Sequence, residues 1–167
     1  GLRERDPEHP HLIAWKRGQT GVPLVDACMR SLTATGWINF RMRAMLLSHA
    51  TFGLGLHWYE PALHLARLFT DFEPGIHYPQ VQMQAGATGT NAMRVYNPIK
   101  QAEDNDPTGA FIARWVPELS PLPQEWRAKP WALPESLQKR FGFQPGVDYP
   151  IPNDFEAEAR HWKKLLY

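Results

Sequence analysis

This sequence has very little cysteine, no excess of either charge and no long apolar run. Cys28 stands alone, so no internal disulfide can form, and a reducing cytoplasm is the simplest setting. The formal net charge is +1, so the field of the whole molecule argues neither for nor against a polyanionic partner. No apolar stretch reaches membrane-spanning length and no secretory signal is visible. Period-two alternation is missing as well, and internal repeats with it, which argues against a sheet or a solenoid. Histidines do not fall at the spacing of a helical metal site, so no metal is expected. Gly86-Ala87-Thr88-Gly89 has neither a strand before it nor Gly-Lys-Ser/Thr after it, so it is not read as a nucleotide phosphate loop.

What the sequence does have is proline and tryptophan, 16 of the one and seven of the other in 167 residues. The length suits one domain with a substantial core. The prolines predict helices that start and stop sharply, and the tryptophans are read mainly as core. Arginines outnumber lysines by roughly two to one, a ratio that suits phosphate recognition.

The periodicity predicts an all-α chain with long ordered loops. Residues 1 to 14 read as an irregular lead-in. Pro23 starts a helix whose apolar face is Val22, Val25, Cys28, Met29 and Leu32, ending at Gly36. A second helix is expected from Ile38 to Trp58, with Leu47, Ala50 and Leu54 inward, and a third from Pro61 to Phe69. Residues 71 to 97 read as one long functional loop. A further helix is expected from Thr108 to Val116 with Asp106 as its cap. Residues 117 to 134 read as a loop held by Trp126 and Trp131. Short helices at Glu135–Phe141 and Asp154–Leu166, the latter capped by Asn153, complete the reading.

Arg43 shares the inward face of its helix with Leu47, Ala50 and Leu54. A buried guanidinium needs a carboxylate or an anionic ligand, and Asp71 and Glu73 are the nearest acids by topology. The pair is either structural or the border of a ligand site; spacing alone leaves both open.

The order Trp15-Lys16-Arg17-Gly18-Gln19-Thr20-Gly21-Val22-Pro23-Leu24-Val25-Asp26-Ala27, Met29-Arg30, Gly36-Trp37, Arg41-Met42-Arg43, Trp58 and Asp71 resembles the flavin-binding helical domain of the DNA photolyase and cryptochrome family. The match resumes at Thr88-Gly89-Thr90, Arg94-Val95-Tyr96-Asn97-Pro98 and Asp106-Pro107-Thr108-Gly109, and ends at Trp115-Val116-Pro117-Glu118-Leu119. It implies a helical FAD-binding domain and, as activity, blue-light-driven repair of pyrimidine photoproducts in DNA by electron transfer from reduced flavin. The alternative it implies is a cryptochrome-like light sensor without repair activity. A third possibility is a helical nucleic-acid or protein-binding module that has lost flavin.

Residue by residue, the resemblance implies that Arg43 and Asp71 clamp the isoalloxazine edge, with Trp37, Phe40, Glu73 and His77 beside the cofactor. His77 falls where the family places the residue facing N5, and would make the photochemistry pH-dependent; the other reading is a loop histidine that caps backbone. Trp58 is the candidate electron carrier, and Arg41, Met83, Arg94 and Asn97 are candidates for the DNA side. Arg41, Arg94 and Lys100 also read as a solvated rim. Gly86-Ala87-Thr88-Gly89 becomes a turn beside the adenine side of the flavin.

The departures matter equally. Phe40 stands where the family commonly has asparagine, and Glu73 where it has aspartate. The three-tryptophan relay would need tryptophans near Val81, at Trp58 and near Arg5, and only Trp58 is present. Val81-Gln82-Met83 replaces a tryptophan-glutamine-tryptophan segment that would stack on a flipped base. Residues 1–167 are expected to be a single domain, the C-terminal part of the flavin domain. The antenna domain and the preceding phosphate-binding segment are expected to be absent, leaving the isolated fragment inactive and weak in flavin binding.

Overall fold

Several helices in this chain begin at a first-turn proline, at a capping side chain, or at both. A computed structural model describes residues 3–89 and 94–166. Pro10, Pro23, Pro74 and Pro98 all occupy the first turn of a helix, where the missing N–H has no partner to lose. Asn39, Glu73 and Asn97 accept hydrogen bonds from the backbone of the helices they precede.

Ten α-helices follow among the described residues: α1 Pro10–Lys16, α2 Pro23–Thr35, α3 Phe40–Ser48, α4 Tyr59–Leu68, α5 Pro74–Gln84, α6 Pro98–Asn105, α7 Ala110–Trp115, α8 Gln124–Arg127, α9 Glu135–Phe141 and α10 Phe155–Leu166. No strand occurs among them; the sole bridge joins Pro145 and Tyr149. No helix of the described residues is long and apolar enough to cross a membrane. The all-α class is therefore as the periodicity predicts.

Helix α2 is the axis of the fold. Its residues Leu24, Val25, Ala27, Cys28, Met29 and Leu32 are all buried, and it packs against α1, α3, α6 and α7. It ends at Gly36, whose φ of +74° is the left-handed cap that a glycine tolerates best. Burial pushes the Cys28 thiol up to about 12, so this cysteine is an inert core residue.

Inside α2, Asp26 is fully buried. Its carboxylate accepts from the Thr20 backbone N–H at 2.9 Å, the Thr20 hydroxyl at 2.7 Å and the Gly21 N–H at 3.1 Å. The Tyr149 hydroxyl also donates to it. Burial pushes its pKa up, and these bonds only partly oppose that. Gly21 permits the arrangement: a Cβ there would lie 2.7 Å from the backbone of Pro150 and of Pro152.

Several boundaries differ from the sequence reading. The lead-in contains α1, which buries Leu12 and Trp15. The long second helix stops at Ser48; His49–Gly53 form a π-helical turn, and residues 54–57 are irregular. Phe155 of α10 packs on that turn, with its ring 5.6 Å from that of His49, and Asn153 donates to the Gly53 carbonyl at 2.8 Å. Asn153 thus ties two segments together, while Asp154 caps α10 by accepting from Ala157. The segment 71–97 is not one loop, because it contains all of α5. Helix α7 begins at Ala110, yet Asp106 still caps it by accepting from the Phe111 and Ile112 N–H groups. Helix α6 was not expected from the sequence. Thr90 and the rest of residues 90–93, with residues 1, 2 and 167, lie outside the described residues.

Candidate functional site

Two helical stripes face each other across a groove. On α3, Phe40, Arg43, Ala44 and Leu47 recur three and four residues apart, so one side of the helix presents them all. On α5, Ile76, His77, Gln80, Val81 and Gln84 do the same. Phe69, Asp71, Phe72 and Glu73, from the segment joining α4 to α5, close one end. The Glu73 carboxylate accepts from the Ile76 N–H at 2.8 Å and so fixes the start of α5. Pro79 sits inside α5 and cannot donate to the Gly75 carbonyl, yet the helix continues past it.

Arg43 is held on three sides. Its Nε donates to the Ile38 carbonyl at 2.9 Å, and its terminal nitrogen donates to Asp71 at 2.9 Å. The guanidinium carbon lies 4.1 Å from the centre of the Phe69 ring. The pair expected from topology is present, but it is not buried: the Asp71 side chain is 50% exposed and that of Arg43 20%. The hydrogen bond from Arg43 holds the Asp71 carboxyl below the usual carboxylate range. An ion pair this open contributes under about 1 kcal/mol to stability.

His77 is more enclosed. Its Nε2 lies 2.9 Å from the Ala62 carbonyl, and a carbonyl only accepts, so Nε2 carries the proton. Burial pushes its pKa below the ordinary histidine value; the Ala62 bond opposes this and the Arg43 charge adds to it. The ring is therefore neutral at pH 7. Phe69, Phe72 and Tyr78 pack their rings edge-on to it at 5.7, 5.4 and 5.1 Å. It lies on α5 and not in a loop, and its bond to the Ala62 backbone links α5 to α4.

Apolar surface surrounds these polar groups. Phe40 is 58% exposed, Ile76 64% and Phe72 38%, and all three line the groove. Large apolar side chains left open beside a fixed cation form a surface that a ligand or another protein segment could cover.

The remaining candidates lie elsewhere. Trp37 is exposed just before α3 and does not line the groove. Trp58 stacks on His57 and meets Tyr59 edge-on, away from the groove. Met83 is half-buried on the side of α5 that does not line it, and Arg41 and Arg94 are exposed. Asn97 caps α6 through the Ile99 and Lys100 N–H groups and donates to Glu156 at 3.2 Å. It borders a different cavity, between the π-helical turn and α10. Lys100 pairs with Asp104 at 2.8 Å. No group of three or more His, Cys, Asp or Glu among the described residues is placed to hold a metal ion.

Phe69, Phe72, Ile76, Gln80 and Gln84 line the groove and were not singled out by sequence. The usable signal was a capping residue before Pro74 followed by side chains at helical spacing from Ile76 to Gln84. Gly75 and Pro79, both poor helix formers, obscured it.

Comparison with known proteins places this geometry. The family model described as the FAD binding domain of DNA photolyase matches residues 2–165. A cryptochrome DASH of Gloeobacter violaceus is 42% identical over 139 residues, 83% of this chain and 28% of that protein. A deoxyribodipyrimidine photo-lyase of Alkalihalophilus pseudofirmus is 34% identical over 99% of this chain and 35% of that protein. The crystal structure of a Synechocystis cryptochrome superposes with a TM-score of 0.89 at 31% identity, covering 98% of this chain and 34% of that one. That of a bacterial class III photolyase from Agrobacterium tumefaciens gives 0.87 at 30%, with the same coverage of 98% and 34%. This chain thus spans about a third of the length of these relatives.

Proposed function

The chain belongs to the DNA photolyase and cryptochrome family, and from that premise we propose that the groove between α3 and α5 forms one wall of an FAD site. Three features of the groove fit such a group. Phe40, Phe72 and Ile76 offer exposed apolar surface for a ring to cover. The Arg43 guanidinium is pinned by Ile38, Asp71 and Phe69 beside that surface. Gln80 carries a buried amide oxygen in the wall with no hydrogen-bond partner. The Arg43–Asp71 pair is the observation that carries the reading.

Bound FAD supplies light absorption and the one-electron donor; the chain supplies the setting. Arg43 would place a fixed positive charge at the ring edge, favouring negative charge there. Asp71 holds that guanidinium in direction. Phe40, Phe72 and Ile76 would exclude water from the ring face. His77, neutral and committed to Ala62 through Nε2, adds no charge at neutral pH and keeps Nδ1 as an acceptor.

In a protein of the relatives' length, we propose blue-light-driven repair of pyrimidine photoproducts in DNA, with exposed Arg41 and Arg94 as cations for the phosphate backbone. A light-sensing role without repair is the second reading. Val81 and Met83 favour it, because they stand where a stacking platform for a flipped base would need indoles. Illumination of dimer-containing DNA with the full-length protein tests the two: restored pyrimidines support repair, and a coloured protein that leaves the dimers intact supports sensing. A colourless protein that cannot be loaded with FAD overturns both.

A further inference from the structure

Most polar groups lining the groove are already satisfied. Arg43 bonds Asp71 and Ile38, Glu73 bonds the Ile76 N–H, and His77 bonds the Ala62 carbonyl. Among the described residues that line it, Gln80 alone has a fully buried polar side-chain atom, Oε1, with no hydrogen-bond partner. More than nine in ten buried polar groups are paired, roughly, so this amide points to a missing partner. It cannot be an accident of a frayed end, because Gln80 lies inside α5 with Val81 fully buried next to it.

Its place along the helix narrows what the partner is. His77 and Gln80 are one turn apart on the same face, about 4.5 Å along the axis. Glu73, which starts the helix beside Asp71, is about 10 Å from Gln80 on the same measure. The apolar side chains lie between and around these polar points. A fused-ring heterocycle with polar atoms along one long edge matches that spacing; a purely apolar occupant would leave the amide unmet.

We propose that Gln80 is a ligand contact, its side chain turning the buried Oε1 out to hydrogen-bond the polar edge of the heterocycle held in this groove. This rests on the flavin reading and adds a contact to it. An amide offers a carbonyl oxygen or an N–H from the same position after a half-turn of its terminal torsion. It therefore serves a ring nitrogen with a lone pair and the same nitrogen once protonated, which Arg43, purely a donor, cannot do. Gln80 thus gives the wall a contact that persists when the ring changes protonation.

The test uses the full-length protein, with Gln80→Leu to remove the amide at similar volume and Gln80→Met as a second apolar variant should the first fail to fold. Apo-protein is titrated with FAD by fluorescence, and resonance Raman spectra of the bound flavin are recorded. Loss of one hydrogen bond to the ligand weakens binding by roughly tenfold. The expected result is that loss of affinity, with ring-carbonyl or ring-nitrogen bands moved toward their unbonded frequencies and a melting temperature close to that of wild type. Wild-type affinity and unchanged bands in the variant would overturn the Gln80 contact while leaving the flavin site standing. Wild-type protein that takes up no FAD overturns the flavin reading and this contact together.

Discussion

Tyr149 donates its hydroxyl to Asp26, joining two residues 123 positions apart inside the core. That bond, with those from Thr20 and Gly21, fastens the long C-terminal approach to α10 onto the central helix. Tyr149→Phe removes one donor and leaves the ring in place. It should cost about 1–3 kcal/mol, read as a lower denaturation midpoint with an unchanged slope. Asp26→Ala strands the Tyr149 hydroxyl and two backbone N–H groups together, and should cost more than Tyr149→Phe.

Gly21 tests the same junction from the backbone side. It sits at φ +85°, and an added Cβ would meet main-chain atoms of Pro150 and Pro152 at 2.7 Å, which cannot swing aside as a side chain could. Gly21→Ala should therefore destabilise by at least ~1 kcal/mol even though it adds one methyl group. Thermal unfolding of the variant against wild type decides it; equal melting temperatures would refute the close approach.

Asp71 separates ligand binding from folding. Its pair with Arg43 is half open to water, so Asp71→Ala should change stability by under about 1 kcal/mol. The same variant in the full-length protein should lose FAD, because the guanidinium is no longer aimed along the groove. Flavin retained at the normal stoichiometry would sink the clamp assignment.

His49 and His64 make stability fall in acid. Burial pushes His49 down to about 3, with the nearby His11 charge adding, and His64 down to about 4, with Lys16 and Arg67 adding. Both are neutral in the fold, whereas the unfolded chain takes up their protons near pH 6.5. Their contribution is fully present above that value and is lost as pH falls toward each folded value. Each can lose up to roughly 1.4 kcal/mol per pH unit in that window. Urea unfolding between pH 7 and pH 4.5 (about the usable range for histidine linkage) should show a flatter profile for His49→Leu than for wild type.

His77 carries a related expectation for the ligand. Its folded pKa lies below the ordinary histidine value, chiefly through burial, so it is uncharged at and above neutral pH. FAD affinity of the full-length protein should therefore be flat above about pH 7 and change only on acidification, and His77→Asn should remove that acid limb. An affinity that titrates in the alkaline range would exclude His77 as its source.

The chain on its own determined the class of the fold, and the reason is local. Helix starts depend on prolines, caps and three-to-four residue spacing, all contained within a few positions of each other. Arg43 and Asp71 were legible for the same reason: an arginine on an apolar stripe demands an acid, and only one short acidic segment follows the next helix. Family membership followed from ordered short motifs, which require no coordinates.

Only the tertiary structure decided which stripes face each other. Gln80 became a candidate because α5 packs on α3, and its own neighbours in sequence, Pro79 above all, hid the helix that carries it. The packing likewise sets Asn97 and Trp58 outside the groove. Asn97 was taken by a helix cap and by Glu156, and Trp58 by His57 and Tyr59. The π-helical turn at His49–Gly53 likewise has no local signature, since it forms where α10 packs against it. Local spacing specifies which side of a helix is apolar; which partner covers it depends on contacts between residues far apart in the chain, and those exist only once the core has formed.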